Sequence, residues 1–152
     1  MTRSERLAPV QQVLEHSEQA RARELGEAQR RLAEAESKLA ELTTYHGEYL
    51  QGYRKRAEDG TSVTALRDYQ AFLARLELAL SQQEKVVAAA RDAVQSRRRN
   101  WQGAARDVKA VETVVDRWRG LDARVGERLE QKETDERAQR GAMRGPGPTE
   151  EE

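Results

Sequence analysis

This sequence predicts an all-α protein, a long two-helix antiparallel coiled-coil hairpin, on three observations. First, Leu66, Leu73, Leu80, Val87, Val94, Trp101, Val108 and Val115 follow one another at intervals of seven. A strict heptad of this kind rewards packing against a second helix, because only a supercoiled partner meets apolar residues that return every 3.5 positions. Second, the upstream half carries a matching seam, with Leu25, Leu32 and Leu39 at one position and Ala28, Ala35, Leu42 and Tyr49 at the other. Third, one short break, Glu58-Asp59-Gly60-Thr61-Ser62, separates the two patterns. A turn that short makes neighbouring helices antiparallel.

Helix one is expected over about residues 5–57. Pro is tolerated in a first turn, so Pro9 places the start between Ser4 and Pro9. Its apolar path is irregular: Leu7 and Leu14 keep the heptad, but Leu25 comes eleven residues after Leu14, a four-residue stutter that locally unwinds a supercoil. Gly26 weakens the same stretch by about 1 kcal/mol relative to Ala. The turn spans 58–62, with Gly60 suited to ending one helix and Ser62 to capping the next.

Helix two is expected over about 63–140. Its second seam position reads Tyr69, Leu76, Gln83, Ala90, Arg97, Ala104, Val111 and Trp118, so Gln83 and Arg97 interrupt an otherwise apolar line. Polar seam residues set register at some cost in stability. Centring the turn near residue 60 places Leu7 opposite about residue 114. On that register the residues beyond Val115, including Trp118, Leu121, Val125 and Leu129, project past helix one as an uncovered apolar stripe. Residues 1–144 thus form one hairpin domain, a rod. Residues 145–152, Gly-Pro-rich and ending in three glutamates, read as a disordered acidic tail.

Composition narrows the function. Of the 152 residues 36% are charged and 37% hydrophobic, so most side chains face water and no thick core is available. Lys plus Arg and Asp plus Glu both number 27, which leaves no global field to hold nucleic acid or an anionic membrane. The absence of cysteine excludes disulfides, thiolate metal sites and cysteine nucleophiles. Nothing reads as a spanning helix or a secretory signal, and the chain is expected to be soluble.

Catalysis is not expected. His16 and His46 stand thirty residues apart on one helix, without HExxH or a carboxylate–His pairing of the di-iron type. There is no phosphate loop, no GxSxG and no pocket for shifting a pKa. No metal and no cofactor is expected.

Three surfaces draw attention instead. Tyr45, Tyr49 and Tyr53 recur at i+4 near the turn, while Tyr69, Phe72, Leu73 and Leu76 crowd the start of helix two. Phe72 and Tyr45 fall beside the seam rather than in it, and Ala79 follows Phe72 by seven on the same edge. In the expected register Tyr49 faces Phe72 and Tyr45 faces Leu76. Aromatics on a partly wet edge are favoured binding anchors; the alternative is that they thicken the seam near a frayed end. The stripe from Trp118 onward serves either a foreign partner or self-association. Arg97-Arg98-Arg99, with Arg91, Arg106 and Lys109, forms a basic band for an acidic partner, or a solvated face.

Beyond the heptads, the ordered segments Leu42-Thr43-Thr44-Tyr45-His46-Gly47-Glu48-Tyr49 and Tyr69-Gln70-Ala71-Phe72-Leu73-Ala74-Arg75-Leu76 resemble the FliJ family of the flagellar type III export apparatus. Trp101, Gln131-Lys132, Asp135-Glu136 and Ala138-Gln139-Arg140-Gly141-Ala142-Met143-Arg144 extend the resemblance. It implies a coil similar to the stalk subunit of rotary ATPases. The implied partners are the hexameric export ATPase FliI, the export gate FlhA and the export chaperones that the family escorts, with the ATPase regulator FliH as a further one. The implied location is the cytoplasmic face of the inner membrane. Carried over residue by residue, the gate-binding surface is Tyr45, Tyr49, Phe72, Leu76 and Ala79, continued by Gln83, where the family also shows a His. The implied ATPase-binding end takes in Leu7, Leu14 and Leu25 with Trp101, Trp118, Leu121, Val125 and Leu129. Two other readings remain open: the equivalent stalk of a virulence secretion system, and a self-associating structural scaffold.

Overall fold

The computed structural model describes residues 2–145, and the expected acidic tail from residue 146 on lies outside them. Two helices make up the fold, α1 (Arg3–Asp59) and α2 (Val63–Met143), and they form the antiparallel hairpin. The connection is Gly60 to Ser62. Gly60 adopts φ +84°, a left-handed conformation that costs any side-chain-bearing residue roughly 1–2 kcal/mol. Ser62 then caps α2: its Oγ accepts the Ala65 backbone N–H at 3.2 Å, while its carbonyl accepts that of Leu66.

Helix α1 begins at Arg3, two residues before the expected start. Thr2 and Glu5 form a reciprocal capping box, in which the Thr2 backbone N–H donates to Glu5 Oε2 at 2.8 Å and the Glu5 N–H to Thr2 Oγ1 at 3.3 Å. Two satisfied orphan donors make residue 3 a stable first helical position, so Pro9 sits inside the helix. Neither Gly26 nor the stutter interrupts α1.

The chain divides into two compact units. In the unit His16–Ala105, the heptad seam is the core: Ala28, Ala35, Leu73, Leu76, Val87 and Val94 are buried. Gln83 is buried with them, and its Nε2–H donates to the Ala35 backbone carbonyl at 3.0 Å. That bond ties one residue of α2 to one turn of α1, which is how a polar seam residue selects register. Arg97 behaves differently, leaving the seam for its edge, where it lies 3.9 Å from Glu24. Trp101 is half-buried and donates its indole N–H to Glu18 Oε1 at 2.9 Å.

The other unit combines 2–15 with 106–145 among the described residues. Val115 is its most buried side chain, only 2% exposed. Here the expected overhang is corrected: Ser4 Oγ donates to Asp122 Oδ2 at 3.0 Å, so α1 covers α2 beyond Val115. Ser4 meets Asp122 rather than a residue near 117, so the register of this unit is shifted by about five residues from the one expected. Trp118 is accordingly half-buried, and the exposed stripe begins only with Leu121, Val125 and Leu129.

Candidate functional site

The aromatic cluster lies in the unit that holds the turn. Helical spacing at i+4 stacks Tyr45 on Tyr49 (ring centroids 6.0 Å apart), and the antiparallel register brings α2 against them. Phe72 meets Tyr49 at 4.4 Å and Tyr45 edge-on at 6.2 Å; Tyr69 lies 5.0 Å from Tyr49 and 6.3 Å from Tyr53. The expected pairing of Tyr49 with Phe72 is the observed one. Tyr45 packs on Phe72 rather than facing Leu76 alone, because Leu76 turns into the seam.

That turn corrects the grouping made from the sequence. Leu76 and Gln83 are 7% and 8% exposed and support the edge from beneath, instead of presenting surface. Tyr45 is 47% exposed, while Tyr49, Phe72 and Ala79 are half-buried. The outward surface is therefore narrower than the motif. A groove beside it is lined by Tyr49, Arg56, Asp68, Tyr69, Phe72 and Arg75, with the Arg56 guanidinium 5.2 Å from the Tyr69 ring. On the opposite edge Gln70 donates to the Tyr53 hydroxyl at 3.0 Å. The contacts of Arg56 and Gln70 were missed because neither lies at a seam position and neither side chain is apolar.

The residues grouped as an ATPase-binding end are distributed over both units. Leu7, Leu14, Trp118, Leu121, Val125 and Leu129 belong to the unit containing the N-terminus, whereas Leu25 and Trp101 belong to the unit containing the turn. Leu7, Leu14 and Leu25 are half-buried in the coil. In the basic band Arg98 and Arg99 are exposed, and among the described residues neither makes an ion pair, while Arg91 reaches Glu36 at 3.4 Å.

Among the described residues no group of three His, Asp or Glu side chains is gathered as a metal site, and no helix is long and apolar enough to cross a membrane. His46 places Nε2 3.5 Å from Glu77 Oε1 without a hydrogen bond.

Fold and surfaces together define a class: an antiparallel coiled-coil hairpin whose distinguishing chemistry is an aromatic edge outside the seam. A family model described as "Flagellar FliJ protein" matches residues 3–147. Over 140 residues the chain is 30% identical to the flagellar FliJ protein of Escherichia coli (strain K12), covering 92% of this chain and 95% of that one. Over 125 residues it is 29% identical to that of Salmonella typhi, covering 82% and 85%. The chain belongs to the FliJ family. Among solved structures, a YscO homolog from Chlamydia trachomatis is 22% identical, with a TM-score of 0.45 over 90% of this chain and 93% of that one.

Proposed function

We propose that the protein is a non-enzymatic coupling stalk of flagellar type III export. In this reading the edge of Tyr45, Tyr49, Phe72 and Ala79 docks the cytoplasmic domain of the export gate FlhA, with Leu76 and Gln83 holding its shape. The stripe of Leu121, Val125 and Leu129, with half-buried Trp118 at its base, engages the export ATPase FliI. Arg98 and Arg99 meet an acidic surface of a partner, export chaperones are escorted, and the protein works at the cytoplasmic face of the inner membrane. The observation that carries the reading is the packing of Tyr45 and Phe72 on each other outside the seam, with Tyr45 half open to solvent. Hairpin stability does not require an exposed tyrosine there, whereas binding anchors are commonly aromatic.

The test is stimulation of export-ATPase hydrolysis by the full chain and by a chain cut after Asp122, which keeps the Ser4–Asp122 bond. Stimulation lost on cutting, with FlhA binding intact, supports two separate surfaces. Equal stimulation by both chains refutes the role of Val125 and Leu129, which the cut removes. A second reading, self-association, draws on the same exposed Leu121, Val125 and Leu129. It predicts a mass by light scattering that rises with concentration and ceases to do so after the cut.

A further inference from the structure

The aromatic edge does not end at Ala79. On α2 the positions that follow Phe72 at intervals of seven are Ala79, Val86 and Ala93, and Val86 is 50% exposed and Ala93 exposed. At ~1.5 Å per residue this apolar strip runs about 31 Å. Its two ends lie against α1: Phe72 touches Tyr45, and Ala93 lines a groove shared with Glu27 and Arg31.

Along the α1 side of the strip stands a second periodic feature. Glu27, Glu34, Glu41 and Glu48 recur at seven, all exposed, and among the described residues none makes an ion pair or hydrogen bond. Glu41 and Glu48 line a groove with Tyr45, and Glu34 and Glu41 one with Lys38. Arg31 and Lys38 offset part of the row, and Arg97 at the Ala93 end is matched by Glu24, so two more carboxylates than cations remain. The α2 side of the strip has no such excess, since Asp68 and Arg75 balance and Gln82, Ala89 and Ser96 are uncharged. A heptad apolar strip with one acidic wall is the surface that a third helix completes, provided its flank on that side is basic.

We infer that the strip from Phe72 to Ala93 seats an amphipathic helix of a partner protein, with lysine or arginine facing the Glu27–Glu48 row. This rests on reading the Tyr45–Phe72 edge as a docking surface, and it adds the chemistry of the occupant. The probes are two stapled three-heptad peptides with the same apolar face, one flanked by lysine and one by glutamate. Each is titrated into the full chain, into the Glu34→Lys/Glu41→Lys double variant and into Phe72→Ala, with FlhA cytoplasmic domain binding measured in parallel.

The lysine-flanked peptide is expected to bind the native chain about tenfold more tightly, with a preference that weakens in salt and reverses in the double variant. Equal binding of the two peptides, or a preference the double variant leaves unchanged, overturns the inference. Phe72→Ala separates the two claims: loss of FlhA binding in that variant, with no charge preference between the peptides on the native chain, leaves the docking edge standing and overturns its basic helix.

Discussion

Phe72 and Leu73 are neighbours in sequence whose truncation to Ala should affect stability and binding in opposite order. Leu73 is 8% exposed in the seam, so Leu73→Ala removes a buried side chain and leaves a cavity, at about 2–5 kcal/mol. Phe72 is half-buried and packs on Tyr49 at 4.4 Å and Tyr45 at 6.2 Å. A full Phe truncation costs ~3–5 kcal/mol. With part of the side chain already exposed, and two ring contacts of about 0.5–1.5 kcal/mol each included, the cost falls to about 2 kcal/mol. The seam of Leu73, Leu76 and Gln83 persists beneath it.

Binding should rank the other way. Phe72→Ala removes an anchor and should weaken FlhA association by at least about 1 kcal/mol, roughly fivefold in Kd. Leu73→Ala, studied where it is still folded, should change affinity less than about twofold. The assay is urea unfolding by circular dichroism beside calorimetric titration with the gate's cytoplasmic domain. Undiminished affinity in Phe72→Ala would refute the edge as an interface. A larger affinity loss in folded Leu73→Ala would show that binding follows coil integrity rather than the aromatic surface.

Other substitutions test the architecture. Gln83→Leu forfeits a hydrogen bond worth about 1 kcal/mol net and gains apolar burial of about 1.5–3 kcal/mol, so the thermal midpoint should rise; a fall would mean the bond to Ala35 carries more than a net hydrogen bond. Gly60→Ala meets no atom within 4 Å and should cost only the φ +84° penalty, roughly 1–2 kcal/mol, read as a lowered urea midpoint with unchanged slope. Ser62→Ala should speed amide exchange at Ala65 and its neighbours and lower stability by about 1 kcal/mol; unchanged protection would show that the cap is redundant.

The two helices, the turn and the pairing of Tyr49 with Phe72 were legible in the sequence, because heptad spacing and a single Gly-containing break leave one economical way to bury the seam. Phe72 and Tyr45 could be set apart from the core for the same reason: a residue one place off the repeat faces the edge. Other features depend on which atoms from distant residues meet. Ser4 reaches Asp122, so α1 covers α2 past Val115 and the exposed stripe shortens to Leu121 onward. The start of α1 at Arg3, two residues before the expected one, is set by the Thr2–Glu5 box, a local S/T-x-x-E pattern that the reading from Pro9 passed over.

Likewise, sequence spacing grouped Leu76 and Gln83 with Phe72, whereas packing buried the first two and left the third at the edge. The acidic row of α1 was present in the sequence as a spacing, but its position beside the Phe72–Ala93 strip follows from the relative rotation of the two helices. Periodicity determines which residues share a helix face. The rotation and stagger of one helix against the other, set by small seam residues such as Ala28 and Ala35 and by the Gln83 bond, decide what that face meets.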